Sequence, residues 1–118
     1  MARRIDTAAG RAALAAVAAS ESPARTDLAT AVRYLLQLLA EKAPGGTVEV
    51  RVPPFGAAQV IEGPRHTRGT PPNVIEMDAA TWIAVATGAE GWADAASDGR
   101  IHASGTRADL TALLPLRP

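Results

Sequence analysis

Arg65, His66 and Arg68 fall within four positions and form the cluster in this sequence whose residue types most invite chemistry. Two guanidinium groups and an imidazole held close together can grip a phosphate or carboxylate through paired, charge-assisted hydrogen bonds. They lie in GPRHTRGTPP, residues 63–72, where Gly and Pro exclude regular structure and place the cluster on a loop. Pro64, Pro71 and Pro72 restrict that loop and lower the entropy lost on ordering it. A plainer use competes: charges on a solvated loop often do no more than tie it to a neighbour, here Glu62, Glu76 or a helix C-terminus.

The remaining residues argue against catalysis. His66 and His102 are the two histidines, cysteine is absent, and no HExxH spacing exists, so no metal site is expected. There is no GxSxG nucleophile turn and no glycine-rich phosphate loop, and no cofactor is expected. Asp94 with Asp98, and Glu62 with Glu76, read as solvated acids. No catalytic residue is nominated, and the chain is read as a non-enzyme.

The apolar residues offer a second kind of site. Hydrophobic residues make up 47% of the chain but aromatics only 3%, so alanine inflates the apolar count and the two tryptophans each need a reason. Ligand cavities are mostly apolar with a few polar groups at the mouth. Leu35, Leu39, Val60, Ile75, Trp82, Trp92, Ile101, Leu110, Leu113 and Leu114 could line such a space, with Arg65, His66 and Arg68 at its entrance. Alternatively, the same apolar residues simply fill a core.

Positioning them requires a particular order of elements. Asp6 to Ala19 is alanine-rich, with Leu14 and Val17 as its sizeable apolar groups, which predicts a peripheral helix with a thin packing face and a connector to residue 25. Thr26 is expected to cap a stronger helix in which Leu28, Val32, Leu35 and Leu39 form one stripe, widened by Ala31, Leu36 and Leu38. Arg33, Gln37 and Glu41 fall on its other side. Val48, Val50 and Val52 alternate with Thr47, Glu49 and Arg51 as a half-buried strand does. A second strand is expected over 57–62, with Val60 on one face and Gln59 and Ile61 on the other, and a third over 73–77, with Ile75 and Met77 opposite Val74.

Asp78 is placed to cap a helix carrying Trp82, Ile83, Val85 and Ala86, which Gly88 stops. A short helix from Trp92 to Ala96 leads into the turn pair Asp98-Gly99 and a strand over 100–104, with Ile101 and Ala103 facing inward and His102 outward. Thr106 and Asp109 have the spacing of a capping box and predict a last helix carrying Leu110, Leu113 and Leu114, ended by Pro115. Helices and strands in this order specify an α+β fold.

The order from Met77 to Leu116 resembles the C-terminal half of the sterol carrier protein type 2 fold. The longer phrase from Gly63 to Leu116, including GPRHTRGTPPN, resembles small actinobacterial sterol-carrier-like proteins and the C-terminal domain of mycothiol-dependent maleylpyruvate isomerases. The resemblance implies a sheet of about four or five strands covered on one face by helices. It also implies a lipid or fatty acyl chain held between sheet and terminal helix, though not a sterol in particular. In the isomerases a helical thiol- and metal-binding domain precedes this module, and nothing in these 118 residues supplies it, so the catalytic activity is not carried over. The alternative is a ligand-free accessory module that contacts a partner protein.

Length and charge bound the rest. A chain of 118 residues suits one domain, residues 1–118. Twelve basic and twelve acidic residues give zero net charge and no global pull toward nucleic acid or an anionic membrane. No apolar stretch approaches the ~20 residues of a membrane span, and Arg3-Arg4 lacks a signal-peptide core behind it. The expected location is cytoplasmic.

Overall fold

Val48, Val50 and Val52 are fully buried while Glu49 and Arg51 between them are half-exposed, and this period of two decides which face of the sheet meets the helices. The computed structural model describes residues 3–63 and 72–118. Among these the order is α1 (Thr7–Ala18), α2 (Arg25–Lys42), β1 (Val48–Val52), β2 (Gly56–Val60), β3 (Asn73–Glu76), α3 (Ala79–Thr87), α4 (Trp92–Ser97) and β4 (His102–Ser104). The four strands form one open mixed sheet in the order β2-β1-β3-β4, and the fold is α+β as expected. β1 pairs antiparallel with β2 and parallel with β3, and β3 pairs antiparallel with β4. In register, Ala58, Val50, Ile75 and Ala103 share the inner face, and Gln59, Glu49, Val74 and Ser104 share the outer one.

Ala103 nonetheless corrects one expectation. It points to the same side as Ile75 but is exposed, as is all of β4, because the helix layer stops short of this edge. Ile101, just before the strand, is buried. A second correction concerns the end of β2: Val60 is its last residue, and Ile61 turns out of the strand at φ 70°. Ile61 donates its N–H to the Ala43 carbonyl at 2.7 Å and accepts from the Thr47 N–H at 3.1 Å.

α2 starts one residue before Thr26. Its first bond runs from the Leu28 N–H to the Ala24 carbonyl, and Thr26 does not cap it. Asp27 in the first turn complements the helix dipole instead. Its buried side carries Ala31, Val32, Leu35, Leu36 and Leu39, and also Tyr34, whose ring supports α1. Gly10 meets that ring so closely that a methyl on its Cα would lie 2.3 Å from Tyr34 Cγ. α1 therefore compensates for its thin apolar face by close approach. Gly10→Ala is expected to lower stability by about 1–3 kcal/mol through overpacking, read by urea unfolding; an unchanged midpoint would mean that α1 does not dock there.

The last helix is absent. Residues 105–118 form turns, with local bonds from the Ala108 N–H to the Gly105 carbonyl, from the Asp109 N–H to the Arg107 carbonyl and from the Leu113 N–H to the Leu110 carbonyl. Asp109 accepts hydrogen bonds from the Thr111 N–H and hydroxyl, a local arrangement that competes with helix formation. Pro115 disfavours the helical conformation of Leu114 from the other side, and the stretch between is too short to propagate a helix. The segment runs as a strap instead, held by Leu116 N–H to the Ala86 carbonyl at 2.7 Å and by Lys42 Nζ to the Leu113 carbonyl at 2.7 Å. Gly88 ends α3 in the left-handed conformation, φ 84°, with Pro115 packed beside it.

Candidate functional site

Leu35 and Leu39 on α2, Val60 on β2, Ile75 on β3, Trp82 on α3 and Leu110 in the strap are all fully buried and belong to one apolar cluster between sheet and helices. Ile101 joins them at 8% exposure. Trp92, Leu113 and Leu114 are half-buried at the margin of this cluster. The alternation of β1 and the stripe of α2 bring these residues together. Arg65, His66 and Arg68 lie outside the described residues.

Trp82 is held by more than packing. Asp78 caps α3 by accepting from the Thr81 N–H at 2.8 Å, which fixes where Trp82 emerges on the first turn. Its indole N–H donates to the Val32 carbonyl of α2 at 3.3 Å, so the polar tip of this large side chain is satisfied inside the core. Nearby, Arg100 pairs with both Glu90 and Asp98, one on each side of α4, and its hydrogen bonding holds the Glu90 carboxyl below the usual range.

The strap is tied to the sheet through Asn73, which sequence reasoning missed. Buried at the start of β3, it donates to the Thr47 carbonyl at 3.0 Å and accepts from the Arg107 N–H at 2.9 Å. Further along, the Thr111 hydroxyl and N–H hold the Asp109 carboxyl below its ordinary value. A carboxyl depressed in the folded state stabilises the fold above its unfolded pKa, and that contribution is lost as pH falls through the lower folded value. Asp109→Ala is therefore expected to flatten the stability–pH curve on the acid side of the ordinary carboxylate pKa, measured by thermal unfolding as the pH is lowered. An identical slope in both proteins would rule out the contribution.

Outside the core an open groove of about 720 Å³ runs between α2 and β2. Leu36, Ala40, Phe55 and Ala58 form its apolar floor. Arg3, Arg4 and Arg33 stand on its rim, and the Arg25 guanidinium lies 5.1 Å from the centre of the Phe55 ring. Residues 3–5 reach this position because the Gln37 side chain bonds both the N–H and the carbonyl of Ile5 at 2.8 Å, and Arg4 pairs with Glu41 at 2.8 Å. The polar side of α2 is thus partly covered by the N-terminal segment. Arg3-Arg4 was visible in the sequence, but nothing in its spacing says that it folds against α2.

Among the described residues, no group of three His, Cys, Asp or Glu side chains is placed to hold a metal ion, and no helix is long and apolar enough to cross a membrane. Residues 24–116 match the family model described as bacterial SCP ortholog. No curated protein matches the chain. The matched region takes in the sheet, α2 to α4 and most of the strap, and leaves α1 and residues 3–5 outside.

Proposed function

We propose, for a chain that belongs to the bacterial SCP ortholog family of sterol-carrier-like proteins, that it is a small lipid carrier holding an apolar ligand by burial, with no covalent step. The observation that carries the reading is the family match over the very elements that enclose the apolar cluster. Leu35, Leu39, Val60, Ile75, Trp82, Ile101 and Leu110 would contact the ligand from within, and Trp92, Leu113 and Leu114 from the margin. Apolar surface removed from water at ~25 cal/mol/Å² would supply the affinity, less the cost of ordering the ligand. Among the described residues these inner side chains are buried against one another, so a ligand reaching them requires side chains to part. Trp92, Leu113 and Leu114 are half-buried at the margin, so parting them loses fewer contacts than parting the fully buried residues. Arg65, His66 and Arg68 are assigned, in this reading, to an anionic head group.

The full burial of Leu35, Leu39, Val60, Ile75, Trp82 and Leu110 favours the second reading, a ligand-free module that contacts a partner protein. Native mass spectrometry of the purified protein separates the two: a retained lipid mass supports the carrier. Delipidated protein titrated with a fatty acid should also change its tryptophan emission. No retained lipid and no emission change at saturating fatty acid would leave the interaction module standing.

A further inference from the structure

We propose that the free edge of β2 is a docking strip for an acidic, extended segment of a partner protein, which adds to the sheet as a further strand. The inference does not depend on a lipid in the core. Among the described residues, β2 is the last strand on its side of the sheet. The Met77 N–H donates to the Arg51 carbonyl, so Arg51, and Glu49 with the same parity, direct their backbone groups toward β3. Val48, Val50 and Val52 therefore direct theirs toward Val60, Ala58 and Gly56. That leaves the N–H and carbonyl groups of Ala57 and Gln59 pointing away from the sheet.

Both ends of this edge are already used by α2. Arg33 Nε donates to the Phe55 carbonyl at 2.7 Å, and the Ile61 N–H donates to the Ala43 carbonyl at 2.7 Å. Between them, the outward groups of Ala57 and Gln59 have no hydrogen-bond partner among the described residues, and both residues are exposed. Protected edges commonly carry a lysine, a proline or a bulge. Here the strand reads Gly-Ala-Ala-Gln-Val, with small uncharged side chains that let another backbone approach.

The groove identifies the occupant. It is lined by Phe55, Gly56, Ala57 and Ala58 in succession, and since successive strand residues point to opposite faces, it follows the strand's edge. An acyl chain lying there would leave the Ala57 and Gln59 groups unpaired, whereas an extended peptide would pair them. The rim carries Arg3, Arg4 and Arg33, with Glu41 offsetting Arg4, on a chain whose net charge is zero. This local excess selects acidic side chains. It also opposes a second copy docked edge to edge, which would bring the two arginine rims together. Arg3 and Arg4 lie outside the family match and Arg33 within it, so the N-terminal segment adds two of the three rim arginines.

The test uses a blocked octapeptide of alternating Glu and Val, titrated into the isotope-labelled full chain. The Ala57 and Gln59 amide signals should shift, their hydrogen exchange should slow, and affinity should fall as salt rises. Ala57→Pro removes an outward donor at a position where an edge strand tolerates proline, and should weaken binding about tenfold or more. Arg3→Glu, on an exposed side chain, should weaken binding about three- to tenfold with the unfolding midpoint unchanged. Absence of binding, equal binding of a Lys-Val peptide, or binding that both variants leave intact would overturn the proposal. So would perturbation of the same amides by fatty acid alone, or a dimer that Ala57→Pro converts to monomer.

Discussion

Trp82→Ala is expected to lower folding stability by about 3–5 kcal/mol, among the largest losses any single substitution in this chain should produce. The side chain is fully buried, is the largest in the core, and bonds across to the Val32 carbonyl of α2. α3 has nine residues, too few to persist without docking, and Trp82 is its principal anchor. Trp82→Phe should cost less, because the Val32 carbonyl keeps its own helical partner and most of the apolar contact survives. Urea unfolding followed by far-ultraviolet circular dichroism measures both. A loss below about 1 kcal/mol for the alanine variant would mean that the surroundings of Trp82 are loosely packed, and would strengthen the case for an openable pocket beside it.

Leu110→Ala should cost about 2–5 kcal/mol, whereas Leu113→Ala should cost less than half as much. The contrast separates a strap from a helix. On a helix these leucines would share one buried side and respond alike, but in the observed turns Leu110 is fully buried and Leu113 only partly so. Leu110 lies between ties of the strap, Asn73 to Arg107 on one side and Lys42 to Leu113 and Leu116 to Ala86 on the other. Losing its side chain should release the strap from the sheet before the sheet itself unfolds. Hydrogen exchange at Leu113 and Leu116 would record that release directly. Equal losses for the two variants would contradict the strap.

The parts of the fold that were legible in the sequence rest on short-range physics. The valines of β1 alternate, Asp78 can bond only forward into its own helix, and Gly88 needs no neighbour to justify a positive φ. What was not legible depends on distant parts of the chain. Thr106 and Asp109 have capping spacing, yet the Asp109 carboxylate satisfies itself on Thr111, and a spacing rule cannot rank those two uses. Ala103 alternates correctly but lies beyond the helix cover, and only the assembled layers show this. Leu35, Leu39, Val60, Ile75 and Trp82 do gather in one cluster, since each lay on a strand face or helix stripe that the pattern identified, whereas Leu110 reaches it from the strap and not from the expected helix. The groove was invisible because it joins residues 3–5 to residues 30–40 and 55–58, and no local pattern connects them.

Ile61 carries a cost that the neighbouring strands do not. A β-branched side chain at φ 70° sits in a region that L residues avoid, and such residues typically store about 1–3 kcal/mol. The conformation persists because the amide and the carbonyl of this one residue join the end of α2 to the residue entering β1. A corner built in this way has an evolutionary asymmetry. Replacements by Gly or Asn relieve the strain and keep both backbone bonds, whereas Val or Thr keep the strain and lose contact area, so drift at this position should run in one direction.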